Sequence, residues 1–130
     1  MILELKIKNF LSFKNEVTFS FEATTDTTLS DYYVAEQKDG TRILKMAMVY
    51  GANASGKSNL LEAFDFLNDF TQLIPDEKEG GTRFEPFRFV ETINEPGRFE
   101  LVFYVNDKKH RYQLIIDQNT VLEEKLFVYP

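Results

Sequence analysis

The sequence predicts an α/β fold with α+β character: a mixed sheet, one main helix and an antiparallel β-meander. Three observations carry that expectation. Apolar and polar residues alternate at both ends of the chain, which is the period of half-buried strands. A single long stretch, residues 58–74, repeats its apolar residues at three- and four-residue steps, the mark of an amphipathic helix. Between them a nearly continuous apolar run hands over to that helix through a glycine-rich turn.

Taken in order, Leu3, Leu5 and Ile7 alternate with Glu4, Lys6 and Lys8, and Val17, Phe19 and Phe21 alternate with Thr18 and Ser20. The NFLSFKNE between them is short enough to join two paired strands. Residues 22–30, EATTDTTLS, read as loop, and Tyr32-Tyr33-Val34 as a short extended piece. Asp39-Gly40 marks a turn before Ile43–Tyr50, ILKMAMVY, whose apolar content predicts a strand buried on both faces. The helix follows, with Leu60, Leu61, Phe64, Leu67 and Leu73 on one face, widened by Phe66 and Phe70, and it must stop before Pro75. Residues 75–97 hold three of the four prolines and read as a long connection whose Phe84, Phe87 and Phe89 dock on the core. Strand patterns return from Phe99 to Val105, Tyr112 to Ile116 and Val121 to Tyr129, with turns at Asn106-Asp107 and Asp117–Thr120. The whole reads as a single lobe over 1–130: strands to residue 50, loop and helix over 51–74, connection over 75–98 and meander over 99–129.

Composition narrows the function classes. With 43% hydrophobic and 15% aromatic residues the chain can bury a core. It has no cysteine, which excludes a disulfide framework, a thiol nucleophile and a cysteine zinc site. No stretch approaches the roughly 18 apolar residues of a membrane span, and the N-terminus lacks a signal-peptide pattern, so a soluble, cytoplasmic protein is expected. Fifteen basic residues stand against 21 acidic ones, a net charge of −6. A surface that clamps nucleic acid carries a basic stripe. The densest basic run here, Lys108-Lys109-His110-Arg111, falls where a solvated turn is expected.

The motif that carries chemistry is Gly51-Ala52-Asn53-Ala54-Ser55-Gly56-Lys57-Ser58, a full match to G-x-x-x-x-G-K-[ST], the Walker A phosphate loop. Such a match arises by chance in a chain of this length about once in a few hundred. The context also fits, because the physics needs a rigid strand leading in and a helix leading out. Gly51 and Gly56 let the backbone turn and approach phosphate oxygens without a Cβ. Asn53, Ala54 and Ser55 contribute backbone N–H groups to an anion nest, which the N-terminal end of the helix dipole extends. Lys57, the candidate catalytic residue, is a point charge for the terminal phosphates. The Ser58 hydroxyl is the candidate ligand for Mg²⁺. The motif therefore points to ATP with Mg²⁺.

The spelling G-A-N-A-S-G-K-S-N-L, with Asn at the third position and Asn59-Leu60 trailing, resembles the RecF, SMC and OLD branch of ATP-binding-cassette ATPases. An opening strand followed by Asn9-Phe10-Leu11-Ser12-Phe13 is similar to the N-F-x-S-like turn of the same branch. More narrowly, residues 1–70 resemble bacterial OLD-like AAA-type ATPases, several of which act in abortive infection and phage defence. PFRF and the meander resemble that family's antiparallel lobe more loosely. The resemblance implies ATPase heads that sandwich ATP between two copies, and a switched effector protein or DNA partner. It adds Asn59, and Lys14 just after the turn, to the nucleotide-facing residues.

The sequence departs from that family in three places. The nearest Walker B spelling, Leu114-Ile115-Ile116-Asp117, continues with Gln118 rather than Glu, and Asp117 suits a turn better. No S-x-G-G-like signature occurs, and neither Gln72 nor Gln113 qualifies as the family's loop glutamine. His110, the only histidine, reads as a surface residue, and Glu123-Glu124 as solvated edge charges. The expectation is the N-terminal lobe of a longer ATPase, or alternatively a regulatory nucleotide-binding module. Turnover measured on the purified 130-residue chain is expected far below the ordinary range of about 1–10³ s⁻¹. A rate inside that range contradicts this reading.

Overall fold

The computed structural model of the chain describes residues 1–52, 56–72, 81–89 and 91–130, with the backbone alone at 91 and 92. Its elements run β1 (Ile2–Lys8), β2 (Val17–Ser20), α1 (Ser30–Tyr33), β3 (Val34–Glu36), β4 (Arg42–Leu44) and α2 (Lys57–Gln72). A 3₁₀ turn at Glu91–Asn94 then leads to β5 (Gly97–Val105), β6 (Lys108–Ile116) and β7 (Val121–Val128).

The long strands form one sheet in the order β2-β1-β5-β6-β7, and β3 and β4 form a separate hairpin. Register follows from the alternation in sequence. Ile7 faces Phe99 across β1 and β5, and Phe99 faces Leu114 across β5 and β6. Because strand side chains alternate between faces, that row and the neighbouring Leu5 lie on one side of the sheet. All four are fully buried there, in one cluster with Ala63 and Leu67 of α2. Phenylalanines fill the space between sheet and helix. The Phe99 ring centroid lies 5.1 Å from Phe66 and 5.2 Å from Phe10, with Phe84 at 6.3 Å.

The opposite face carries Val102 and Tyr104, both buried. The Tyr104 phenol donates to Asp39 Oδ2 at 2.6 Å and accepts from Thr41 Oγ1 at 3.0 Å, and so ties the turn between β3 and β4 to the sheet. The hairpin is also stitched to the chain leaving β2, through Leu44 N to Phe21 O at 2.7 Å and Ala23 N to Arg42 O at 2.8 Å.

The α/β class with α+β character holds, as one long helix on a sheet with a terminal meander. Every strand pair among the described residues is antiparallel, so the parallel component of a mixed sheet is not among them. The two meander turns fall where expected. Asn106 and Asp107 both take positive φ, 50° and 61°, the requirement of a two-residue hairpin whose twist matches its strands. Asp117 Oδ1 accepts the N–H groups of Asn119 and Thr120 at 2.8 and 2.7 Å, a side-chain-closed turn.

Five expectations are corrected. Strand structure over Ile43–Tyr50 ends at Leu44. Burial on both faces needs a pairing strand alongside, residues 45–50 have none among the described residues, and Tyr50 is 84% exposed. Tyr32 and Tyr33 lie in a helical turn, and extension begins at Val34. Leu61 is exposed, since the sheet covers the helix surface of Ala63 and Leu67 but not its flank. Of the three docking phenylalanines Phe84 is buried and Phe87 half-buried, while Phe89 stands 75% exposed. The basic run also lies in strand β6 rather than in the turn. There Arg111 covers the Phe127 ring at 4.5 Å, Lys109 covers Tyr129 at 5.4 Å, and His110 stacks on Phe103 at 5.1 Å.

The hydrogen bonds from Tyr104 and Thr41 hold the Asp39 carboxyl below its ordinary pKa. A lowered folded-state pKa means its stabilisation is present above the unfolded value, about 3.9, and is lost as pH falls through the folded value. Urea midpoints of wild type and Asp39→Asn should therefore differ at neutral pH, begin to approach each other at about pH 4 and converge below the folded value. A gap that stays constant down to pH 2 contradicts the anchor.

Candidate functional site

Helix α2 starts at Lys57 because Gly56 turns the chain there. Its φ of +94° belongs to the left-handed region, which favours glycine. The first helical bond follows at once, from Leu60 N to Gly56 O at 3.0 Å. Helix geometry leaves the preceding N–H groups without intrahelical partners. Beside them the Lys57 ammonium donates to Gly51 O at 2.5 Å, so its charge is held across the two ends of the candidate loop. Ser58 is exposed in the same first turn, as are Gly51 and Ala52. Asn53, Ala54 and Ser55 lie outside the described residues.

The turn after β1 supports this arrangement. Phe10 and Phe13 exchange backbone hydrogen bonds at 2.9 and 2.8 Å, closing a tight loop. Ser12 Oγ accepts from Asn59 Nδ2 at 2.8 Å. A Cβ on Gly56 would lie 3.4 Å from that same Ser12 Oγ and 3.7 Å from the Phe13 ring. The structure thus brings Ser12, Phe13, Gly56 and Asn59 together. Lys14 follows Phe13 with its side chain exposed, and its carbonyl accepts from Asn9 N at 3.3 Å.

The turn is itself fixed by Asn9, a polar residue only 1% exposed. Asn9 Nδ2 donates to Glu95 O at 2.9 Å, and its Oδ1 accepts from Phe87 N at 3.1 Å. Leu11 N adds a bond to Glu85 O at 3.0 Å. Ser12, Phe13 and Asn9 were not singled out as individual site residues from the sequence. The available signal was the asparagine at the end of an apolar strand, a residue type suited to closing polar bonds and to positive φ. Past Ser12 and Asn59 the surface opens into a groove of about 300 Å³, also lined by Leu11, Pro86, Phe87, Arg88 and Phe89.

The remaining sequence candidates have structural partners. Leu114 and Ile116 are core residues, and Asp117 closes its turn. Gln113 Nε2 donates to Glu100 at 2.7 Å and Gln72 Nε2 to Asn68 at 2.6 Å. Glu124 accepts from the Tyr112 phenol at 2.7 Å, and Glu123 pairs with Lys125 at 2.8 Å. Among the described residues no helix is long and apolar enough to cross a membrane.

A helix opened by Gly56-Lys57-Ser58 and packed on an antiparallel sheet is compatible with part of a P-loop nucleotide-binding ATPase lobe. Residues 46–130 match the family described as "AAA domain, putative AbiEii toxin, Type IV TA system". The chain belongs to that family of P-loop AAA-type ATPases, and a nucleotide-binding, ATPase-like function comes with it. No curated protein matches the sequence. The family match begins at Met46, so β1 and the Asn9–Phe13 turn lie before it.

Gly56→Ala should lower stability by about 1–2 kcal/mol, since an L-residue pays to adopt a left-handed conformation. Urea denaturation measures it, and an unchanged midpoint would show that Gly56 does not need positive φ.

Proposed function

We propose that the chain binds ATP with Mg²⁺ through Gly51–Ser58, as the nucleotide-binding lobe of an OLD/RecF/SMC-like ATPase acting in phage defence or DNA transactions in the cytoplasm. The observation that carries this is the full phosphate-loop spelling set at a helix start, with Gly56 in positive φ and Lys57 held at 2.5 Å from Gly51 O. The residues present suit a polyphosphate. Glycine admits close backbone approach, and the first helical N–H groups with Lys57 supply donors and positive charge. The bound metal would supply charge neutralisation between phosphates, and Ser58 offers the hydroxyl to hold it. Gly51, Ala52, Asn53, Ala54, Ser55 and Gly56 serve as the backbone cradle, and Asn59 fixes the Ser12 side. Lys14 takes an accessory role toward nucleotide.

On this reading residues 1–130 act as one lobe that forms half of a site. Self-association of heads supplies the other half and passes the nucleotide state to an effector protein or to DNA. The net charge of −6 argues against this lobe as the main DNA grip. The alternative, a regulatory module that binds nucleotide without turning it over, draws support from Asp117, whose carboxylate closes a turn.

Calorimetric titration with Mg-ATP tests the core of the proposal. Lys57→Ala should weaken binding about 10- to 100-fold, the range expected for losing a charged hydrogen-bonding group. Ser58→Ala should reduce the dependence of ATP affinity on Mg²⁺. Unchanged ATP affinity in Lys57→Ala overturns the phosphate-loop assignment.

A further inference from the structure

The groove beside the start of α2 has a composition unlike the rest of the site. Leu11, Pro86, Phe87 and Phe89 make most of its lining apolar. Phe89 keeps 75% of its surface exposed, although a lone phenylalanine gains by burial. The Phe87 ring packs beside it edge-to-face, centroids 5.8 Å apart and inclined at 62°, so two aromatic rings line the groove. Ser12 and Asn59 close the end nearest the candidate phosphate loop, with Asn59 directly following Ser58 in the first turn of the helix.

The polar groups of the groove are already engaged. Asn59 Nδ2 donates to Ser12 Oγ at 2.8 Å, and Arg88 pairs with Glu85 at 3.4 Å. An apolar wall with few directional donors can hold a flat ring by its face but cannot read its edge. At about 300 Å³ the groove is at the lower end of ligand-site volumes, a size for one ring system rather than a whole nucleotide.

We infer that this groove takes the nucleobase of the nucleotide whose phosphates lie at Gly51–Ser58, held by stacking on Phe89. The inference rests on the phosphate-loop reading above and adds what that reading lacks, the means of base recognition. Phe87 packs edge-to-face against the Phe89 ring and steadies it. Every base offers a π-face, so stacking discriminates little between bases. ATP and GTP then bind alike, a pyrimidine triphosphate binds more weakly because its ring is smaller, and inorganic triphosphate binds weakest.

Calorimetric titration of the full chain with the Mg²⁺ complexes of ATP, GTP, UTP and inorganic triphosphate tests this. Phe89→Ala should weaken ATP and GTP by about tenfold or more and leave inorganic triphosphate unchanged, while Phe89→Tyr retains wild-type affinity. Because Phe89 is exposed, thermal melting of the variants should match wild type. Three outcomes overturn the base assignment: equal affinity of wild type for ATP and inorganic triphosphate, unchanged ATP affinity in Phe89→Ala, or equal losses for both ligands in that variant. If Phe89→Ala instead turns a dimer into a monomer at unchanged ATP affinity, the groove is a self-association surface and the assignment falls. Failure of wild type to bind either ATP or inorganic triphosphate overturns the phosphate-loop reading itself, and this inference with it.

Discussion

The side chain of Asn9 joins the parts of this structure that would otherwise have no reason to stay aligned. It is buried, it sits at positive φ, and it bonds the backbone of the 85–97 segment on both its amide nitrogen and its oxygen. The left-handed conformation costs of order 1–3 kcal/mol for a non-glycine residue, less for asparagine than for most. An unsatisfied buried polar group costs about 1–3 kcal/mol as well, so the hydrogen bonds must be present for the residue to be tolerated. They hold the connection down with Phe84 over the sheet. Gly97 shows how closely it lies there, since a Cβ at that position would meet Phe84 ring carbons at 2.2 Å. They also aim the Phe10–Phe13 turn at Gly56. One polar bracket therefore sets both the aromatic packing and the approach to the candidate loop.

Packing and polar contacts divide the work at the helix. A 16-residue helix is marginal by itself in water. Here it lies on a face of buried Leu5, Ile7, Phe99 and Leu114, with Phe66 stacked on Phe99. Large aromatic burials of this kind are worth about 3–5 kcal/mol each when judged by truncation. The exposed bond from Asn59 to Ser12 contributes about 1 kcal/mol at most. Its importance is positional: it fixes the first turn of α2 against the loop after β1, and the first turn presents Lys57 and Ser58.

Legibility in the sequence followed the range of the forces involved. Alternation in Leu3–Ile7 and Phe99–Val105 reports which face is buried, and both strands formed with that face inward. The Asn106-Asp107 and Asp117–Thr120 turns were readable because side-chain and φ preferences act within a few residues. ILKMAMVY misled because apolar content measures the wish to be buried and says nothing about whether a neighbouring strand is there to pair. Phe89 misled for a similar reason, as an aromatic spacing in a proline-rich connection does not say which ring reaches the core. For the site, Lys57, Ser58 and the glycines were visible as a motif. The Ser12–Asn59 bond was not, because it joins residues 47 apart whose pairing depends on the bracket at Asn9.

Charge poses the last physical question, since a chain of net charge −6 is proposed to attract a polyanion. The answer lies in distance. Charges farther than about 10 Å from a bound phosphate are largely screened at ordinary ionic strength. What acts at the loop is local: the Lys57 ammonium, the N–H groups at the start of α2, and the positive end of its dipole, equivalent to about half an elementary charge. Lys109 and Arg111 of β6 instead lie over the rings of Tyr129 and Phe127. The acidic surface therefore lowers the rate at which a nucleotide is drawn in from afar, more than it weakens the hold once phosphates reach the loop. Short-range donors at a helix start can outweigh an unfavourable total charge, and so the motif is a better guide to function here than the composition.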